Sequence, residues 1–301
     1  MTKILCAPLQ GYTDSAWRTA HNAVFGGIDA YYTPFLRVFH GAIKGLADVS
    51  PERNAGISLV PQVLAGRPEE TVRIVEELKK AGYRRIDINM GCPFPPVVKH
   101  HQGAGLLQHQ QEVEALCSAL AAVSGVEYSV KMRLGVDDFG QWRDVLPCLQ
   151  AIRPVLLTAH ARLAVQQYEG ETNFEAFGQL LAEVTCPVAY NGDVTSVDDI
   201  NRIVAAFPAV SAVMIGRGLV ADPALMRPEL ATPANYSRFH DMIFSTLSQR
   251  NNGGDHVLLG KMKSLWTLFL PNAPRKARKA IKKSTTLDKY RSAVAQLFAE
   301  L

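Results

Sequence analysis

In 59-LVPQVLAGRPEETVRIVEELKKAGYRRIDINMG-91 two short β-rich runs, 59-LVPQVLA-65 and 85-RIDINMG-91, flank a segment of different period. That segment, 69-EETVRIVEELKKAG-82, carries apolar residues at helical spacing and ends at Gly82, a natural C-terminal stop. Neither β-rich run alternates cleanly between polar and apolar. Each reads as a strand buried on both faces, as a parallel strand covered by helices is.

The same unit recurs on both sides. Further runs are 3-KILCAPL-9, 30-AYYTPFL-36, 128-YSVKMRL-134, 154-PVLLTAHAR-162, 187-PVAYNGD-193 and 212-AVMIGRG-218. Helical connectors include 109-HQQEVEALCSALAAVSG-125 and 196-SVDDINRIVAAFPA-209, where Ser196 followed by acids suits an N-cap and first turn. Eight β/α alternations in about 220 residues predict an α/β fold, a (β/α)8 TIM barrel rather than an open sheet. After Asp222-Pro223 the alternation stops. Helical patterns at 236–250, 256–270 and 285–301, with turns at 251-NNGGD-255 and 271-PNAP-274, predict a small C-terminal all-α domain. The expected division is a barrel over residues 1–232 and a helical domain over 233–301.

Composition sets limits on function. Of 301 residues, 48% are apolar and 20% charged, which is ordinary for a soluble globular chain. The apolar runs are far shorter than a membrane span of about 20 residues, and Met1-Thr2-Lys3 leads into no signal-like segment. A cytoplasmic protein with no membrane association and no obligate protein partner is expected. Cys6, Cys92, Cys117, Cys148 and Cys186 are scattered without C-x-x-C pairs, so neither a disulfide framework nor a metal site is expected. The net charge of +4 is modest, but it is unevenly distributed. In 275-RKARKAIKKSTTLDKYR-291 eight Lys or Arg face one acid, Asp288. That run is either a solvated helix face or a footprint for a polyanion.

In such a barrel the reactive groups sit after the carboxyl ends of the strands. Here those ends are polar and glycine-rich: Pro8-Leu9-Gln10, Gln62, Asn89-Met90-Gly91-Cys92-Pro93, Lys131 and Arg133, His160, Asn191-Gly192-Asp193 and Gly216-Arg217-Gly218. Glycines on the last two strands with the Arg217 fork suit a phosphate. No G-x-G-x-x-G follows a strand, so a Rossmann dinucleotide site has no support. A cation inside a barrel needs an anionic or polar partner, and the pyrimidine edge of a flavin would give Lys131 one, with Gln62 beside it. His160 reads equally as a hydrogen-bonded strand-end residue or a flavin contact.

The blocks APLQGYTDSAWR, INMGCP, VVKHHQGAGLLQ, VKMRLG, HARLAVQQYEG, NGD and MIGRG resemble, in order and spacing, motifs of the flavin-dependent RNA dihydrouridine synthases. The likeness spans roughly residues 3–223, and the helical tail resembles that family's small RNA-binding domain. It implies FMN at the barrel mouth, NADPH as electron donor, and reduction of the C5–C6 double bond of uridines in RNA, usually tRNA. By position it puts FMN contacts on Pro8, Leu9, Gln10, Gln62, Lys131, His160, Asn191, Asp193, Gly216 and Arg217, and the catalytic cysteine on Cys92. Where the family has methionine followed by a small or acidic residue, this chain has Leu9-Gln10. Pro95 and Pro96 replace basic residues, Ala161 a glycine and Leu163 a threonine. The prolines imply a stiffer Cys92 loop, with consequences for substrate choice.

A thiol with an ordinary pKa near 8.5 is protonated near neutrality, so Cys92 suits the role of general acid toward uracil C5. The base must leave its stack to be reached, and RNA contacts must offset that cost. Lys261, Lys263, Arg275, Lys276, Arg278, Lys279, Lys282 and Lys283 are the expected phosphate contacts, with His100 and His101 in the Cys92 loop on the substrate's path. Three other readings share some of these features: an FMN barrel reducing a small molecule, an RNA-binding barrel without chemistry, and a flavin enzyme that methylates uracil.

Overall fold

A computed structural model describes residues 2–301. Its strands are β1 (Lys3–Cys6), β2 (Ala30–Tyr32), β3 (Arg37–Phe39), β4 (Ala42–Lys44), β5 (Leu59–Val60), β6 (Gln62–Leu64), β7 (Arg85–Met90), β8 (Glu127–Gly135), β9 (Leu156–Leu163), β10 (Val188–Asn191) and β11 (Ala212–Ile215). Nine of them form one sheet in the order β5-β2-β1-β11-β10-β9-β8-β7-β6, with parallel pairing throughout. The two ends of that order, β5 and β6, are consecutive in the chain and separated only by Pro61. Proline has no N–H for the ladder, so it splits one strand into a half paired with β2 and a half paired with β7. The sheet therefore closes on itself, and the eight expected barrel strands are all present.

The burial that the sequence implies is found. Every residue of β2, β6, β9, β10 and β11 is buried. The helix Pro68–Lys80 begins with Pro at its first turn beside Glu69 and Glu70 and ends with Lys79 and Lys80, charges that match the helix dipole. Its Thr71, Ile74, Val75 and Leu78 form the buried stripe. At Val197–Ala206 the expected Ser196 cap is part of a capping box with Asp199.

The C-terminal region is all-α: Pro233–Gln249, Asp255–Leu265, Arg275–Lys283 and Leu287–Glu300. Its core is aromatic. The Trp266 Nε1–H donates to the Tyr290 hydroxyl at 2.9 Å, and His240 Nε2 lies 2.7 Å from the same oxygen. The region docks on the barrel through the helix Ser15–Val24, where Trp17 meets Phe239 edge-on at 5.9 Å. Polar contacts flank that seam: Tyr12 with Thr267 at 2.6 Å, Arg250 Nη1 with Ser15 Oγ at 2.9 Å, and Lys261 Nζ with Asp14 at 3.4 Å. No helix among the described residues is long and apolar enough to cross a membrane.

Candidate active site

At the carboxyl ends of the strands lies a cavity of about 480 Å³. Pro8, Leu9 and Gln10 follow β1, Cys92 follows β7, Lys131 is on β8, His160 on β9, Asn191 ends β10 with Asp193 just beyond it, and Gly216 and Arg217 follow β11. All of these residues line it. Gln62, the remaining expected contact, does not. It is fully buried one layer below, its Nε2 donating to Asp87 Oδ2 and its Oε1 accepting from Asn89 Nδ2, both at 2.7 Å.

Cys92 is held by its own loop. The backbone N–H groups of Gly91 and Cys92 both donate to Asn89 Oδ1, at 3.0 and 2.9 Å. Pro95 and Pro96 open the short helix Pro95–Lys99, after which the chain folds back so that Ala104 N–H donates to the Cys92 carbonyl at 3.2 Å. The return passes through Gly103 at φ +54°, where an added Cβ would lie 2.9 Å from the Cys92 Cβ. Only glycine fits there without displacing the cysteine. Burial pushes the Cys92 thiol above its ordinary pKa, with the Phe94 backbone N–H acting in the opposite direction. The group therefore keeps its proton at neutral pH.

The cavity wall is cationic. Among the described residues Lys131, Arg133 and Arg217 line it against a single acid, Asp193. That acid is already engaged: Arg162 grips both of its carboxylate oxygens, and Arg217 Nη2 donates to Oδ1 at 2.8 Å. Asp193 therefore orients Arg217 at the cavity wall. Arg133 is buried, and it donates to the carbonyls of Gly91, Leu163 and Gln167 at 3.1, 2.7 and 2.6 Å. It thereby ties the Cys92 loop to the loop after β9, while desolvation pushes its pKa down to about 10. Lys131 differs from both. Among the described residues its Nζ has neither a hydrogen bond nor an ion pair, and desolvation followed by the Arg133 charge pushes its pKa down to about 8.

His160 is held neutral, its pKa pushed well below the ordinary histidine value by burial and then by Arg133, Lys131, Arg162 and Arg217. Its Nε2 faces Arg162 Nη1 at 3.3 Å. A guanidinium can only donate, so Nε2 is the acceptor and the ring proton resides on Nδ1. Asn191 donates its Nδ2 to the Met214 carbonyl at 2.8 Å, which leaves its Oδ1 for a ligand. The turns after β10 and β11 abut closely: a Cβ on Gly218 would lie 2.1 Å from the Val194 carbonyl oxygen. Gly192 has φ +139°, and a Cβ there would lie 2.6 Å from Thr172 Cγ2. An unpaired cation and a neutral imidazole N–H on one part of the wall, with glycine turns and an aimed arginine on another, fit a flavin mononucleotide by charge and donor set.

Residues 5–251 match the family model described as dihydrouridine synthase (Dus). The chain belongs to the dihydrouridine synthase family. It is 30% identical over 239 residues, 75% of this chain and 70% of the other, to a Neisseria meningitidis serogroup B protein named tRNA-dihydrouridine(16) synthase. A Ralstonia nicotianae protein of the same name is 31% identical over 238 residues, covering 75% and 72% of the two chains. A solved structure of morphinone reductase in complex with tetrahydroNAD aligns over 78% of this chain and 90% of its own, with a TM-score of 0.50 and 14% identity. That likeness concerns the fold alone.

Within this dihydrouridine synthase the expected RNA contacts fall into two sets. Lys261, Arg275, Lys276, Lys279, Lys282 and Lys283 are exposed. Lys263 and Arg278 are instead built into the helical region: Lys263 Nζ donates to the Ser284 carbonyl at 2.9 Å, and Arg278 donates to the Pro271 and Trp266 carbonyls at 2.7 and 2.9 Å. His101 pairs with Glu112 at 2.7 Å and stacks on His109, so it belongs to a surface cluster. Sequence reasoning missed Tyr168, whose ring lies 4.9 Å from the Arg217 guanidinium and 5.5 Å from that of Arg133. It also missed Thr267, Leu268 and Pro271, which bring the helical region into the cavity wall. Tyr168 lies inside the block HARLAVQQYEG, and a lone aromatic among polar residues at a strand end was the available signal.

Proposed function

We propose that this dihydrouridine synthase reduces the C5–C6 double bond of uridines in tRNA, with FMN in the barrel mouth, NADPH as electron source and Cys92 as proton donor. The observation that carries this reading is the sharing of one cavity by the half-buried thiol of Cys92 and the unpaired Nζ of Lys131. Bound FMN supplies the hydride that enters uracil C6. Lys131 and the Nδ1–H of His160 would hold the ring's electron-rich pyrimidine edge, Asn191 Oδ1 is free to accept from the ring, and Pro8, Leu9 and Gln10 would border it. Gly216 and Arg217 would hold the phosphate, with Asp193 orienting Arg217. Gln62 acts from beneath, through Asn89.

The proton comes from Cys92. Hydride addition at C6 leaves negative charge spread from C5 toward O4, and the thiol, protonated because burial raises its pKa, delivers its proton to C5. One hydride and one proton convert uridine to dihydrouridine, and the thiolate left behind regains its proton from solvent. The Arg133 bond to the Gly91 carbonyl holds the loop from which Cys92 acts.

The reading assigns catalysis to residues 1–232 and RNA binding to 233–301, with Lys261, Arg275, Lys276, Lys279, Lys282 and Lys283 as phosphate contacts. A tRNA substrate implies action in the cytoplasm. Since relatives carry position 16 in their names, uridine 16 is the first position to map. The test is to delete the gene in its host, map the dihydrouridine lost across stable RNAs, and complement with wild type or Cys92→Ala. The reading predicts that wild type restores the modification while Cys92→Ala, still carrying FMN, does not. Full restoration by Cys92→Ala would reject the cysteine's role.

A further inference from the structure

We propose that Asp87 is a positioning residue for Cys92: its buried carboxylate fixes the orientation of Gln62, which fixes Asn89, whose side-chain oxygen holds the backbone of the cysteine loop. The chain of contacts is complete. Asp87 Oδ1 accepts from Ser129 Oγ at 2.6 Å and Oδ2 from Gln62 Nε2 at 2.7 Å. Gln62 Oε1 then accepts from Asn89 Nδ2 at 2.7 Å, and Asn89 Oδ1 accepts from the N–H groups of Gly91 and Cys92. Asp87, Gln62 and Ser129 are completely buried, and Asn89 is nearly so.

The relay has a direction that an uncharged network would lack. A primary amide can be turned end for end at almost no steric cost, so geometry alone leaves Gln62 and Asn89 two orientations each. An ionised carboxylate only accepts, which forces the Gln62 amine toward it and the Gln62 oxygen toward Asn89. Asn89 must then turn its amine inward and its oxygen outward to the loop. Were it reversed, two backbone N–H groups would face an amine, leaving buried donors unmet. Among the described residues Asp87 makes no ion pair within 4 Å, so neutralising Lys131 at close range is not its task. Its pKa, raised to about 6 by burial, leaves it ionised at pH 8.

Moving the carboxylate from one end of the relay to the other provides the test. Asn89→Asp alone sets a carboxylate oxygen against Gln62 Oε1, and Gln62 cannot turn because Asp87 needs its amine. Adding Asp87→Asn lets the whole relay reverse: the amide introduced at position 87 would donate to Gln62, Gln62 to the new carboxylate, and that carboxylate would still accept from Gly91 and Cys92. The proposal rests on Cys92 as proton donor, so the readout is kept separate from turnover. It is the rate of Cys92 alkylation by iodoacetamide at pH 8 in the FMN-loaded enzyme, followed by peptide mass spectrometry.

The expected result is a shift of about threefold or more in Asn89→Asp and a return to within about twofold of wild type in the double variant, since loops held by two hydrogen bonds move when both are strained. An unchanged rate in Asn89→Asp, or a double variant no closer to wild type than the single, overturns the relay. Should Asn89→Asp not fold, Gln62→Met, which keeps the shape and removes both bonds, must show the shift, and an unchanged rate there overturns it equally. Failure of the Cys92 reading would appear elsewhere, as turnover by Cys92→Ala, with the alkylation shift of Asn89→Asp and its reversal in the double variant intact.

Discussion

Lys131 stands half-buried with no partner among the described residues, and its pKa of about 8 follows from desolvation and the neighbouring Arg133. Its charge is present below that value and lost as pH rises through it. The apo-enzyme's affinity for FMN should therefore be flat below pH 8 and weaken above it, by up to about tenfold per pH unit while one proton is coupled to binding. Lys131→Met should bind more weakly at pH 7 and lose this pH dependence; flavin fluorescence titration measures both. An equally steep decline in the variant would remove Lys131 from the flavin's edge. Gln62 shows what a residue type alone conceals. Its place on the third expected strand was legible, but a buried carboxylate 25 residues away claims its amide. No local pattern records such a partner.

At the scale of elements, the barrel was legible because each strand is an apolar run with a polar or glycine-rich carboxyl end, a combination that parallel strands under helices impose. Three of its longer helices were not. Ser15–Val24 buries Arg18 and His21, which a hydropathy pattern assigns to the surface, and Trp142–Leu149 contains Pro147. Phe174–Glu183 lies in a segment that carried no expectation. The β3–β4 hairpin is short and largely exposed, so burial left no alternation to read. In the proposed reading the loop from Cys92 to Gly103 is the element on which function depends most. Gly103→Ala would force a positive φ on alanine and press its Cβ against Cys92, at a cost of about 1–3 kcal/mol if the loop stays in place. The expected outcome is a lowered thermal midpoint together with a loss of turnover, while Gly56→Ala, with open space around it, should show only the backbone cost. Turnover retained in Gly103→Ala would mean that the loop adapts without moving its thiol.

The whole molecule is a barrel whose cavity wall is completed by the turn between two of its C-terminal helices, Asp255–Leu265 and Arg275–Lys283. Thr267, Leu268 and Pro271 contribute to the cavity, and Trp17, Phe25, Tyr236 and Phe239 pack across the seam. Phe239→Ala should destabilise the protein by about 3–5 kcal/mol through the cavity it leaves, measured by denaturant unfolding, because that ring is fully buried. The exposed basic face is separable from this packing. Replacing Lys276, Lys279 and Lys283 with Gln should weaken tRNA binding and reduce the slope of log affinity against log salt by about 0.7–0.9 for each phosphate no longer neutralised, with the thermal midpoint nearly unchanged. An unchanged slope would move the RNA path elsewhere. The basic run was visible in sequence; that Arg278 within it, like Lys263 before it, is tied to backbone carbonyls required the helices in place.

The division of labour between cofactor and cysteine is best tested by separating the two half-reactions in a stopped-flow instrument. Reduction of bound FMN by NADPH should proceed in Cys92→Ala at close to the wild-type rate, because no proton to uracil is involved. Reoxidation of the reduced flavin by unmodified tRNA should slow by about 10²–10⁴-fold, the usual contribution of a positioned general acid. Reoxidation by tRNA at the wild-type rate in the alanine variant would contradict the assignment of Cys92.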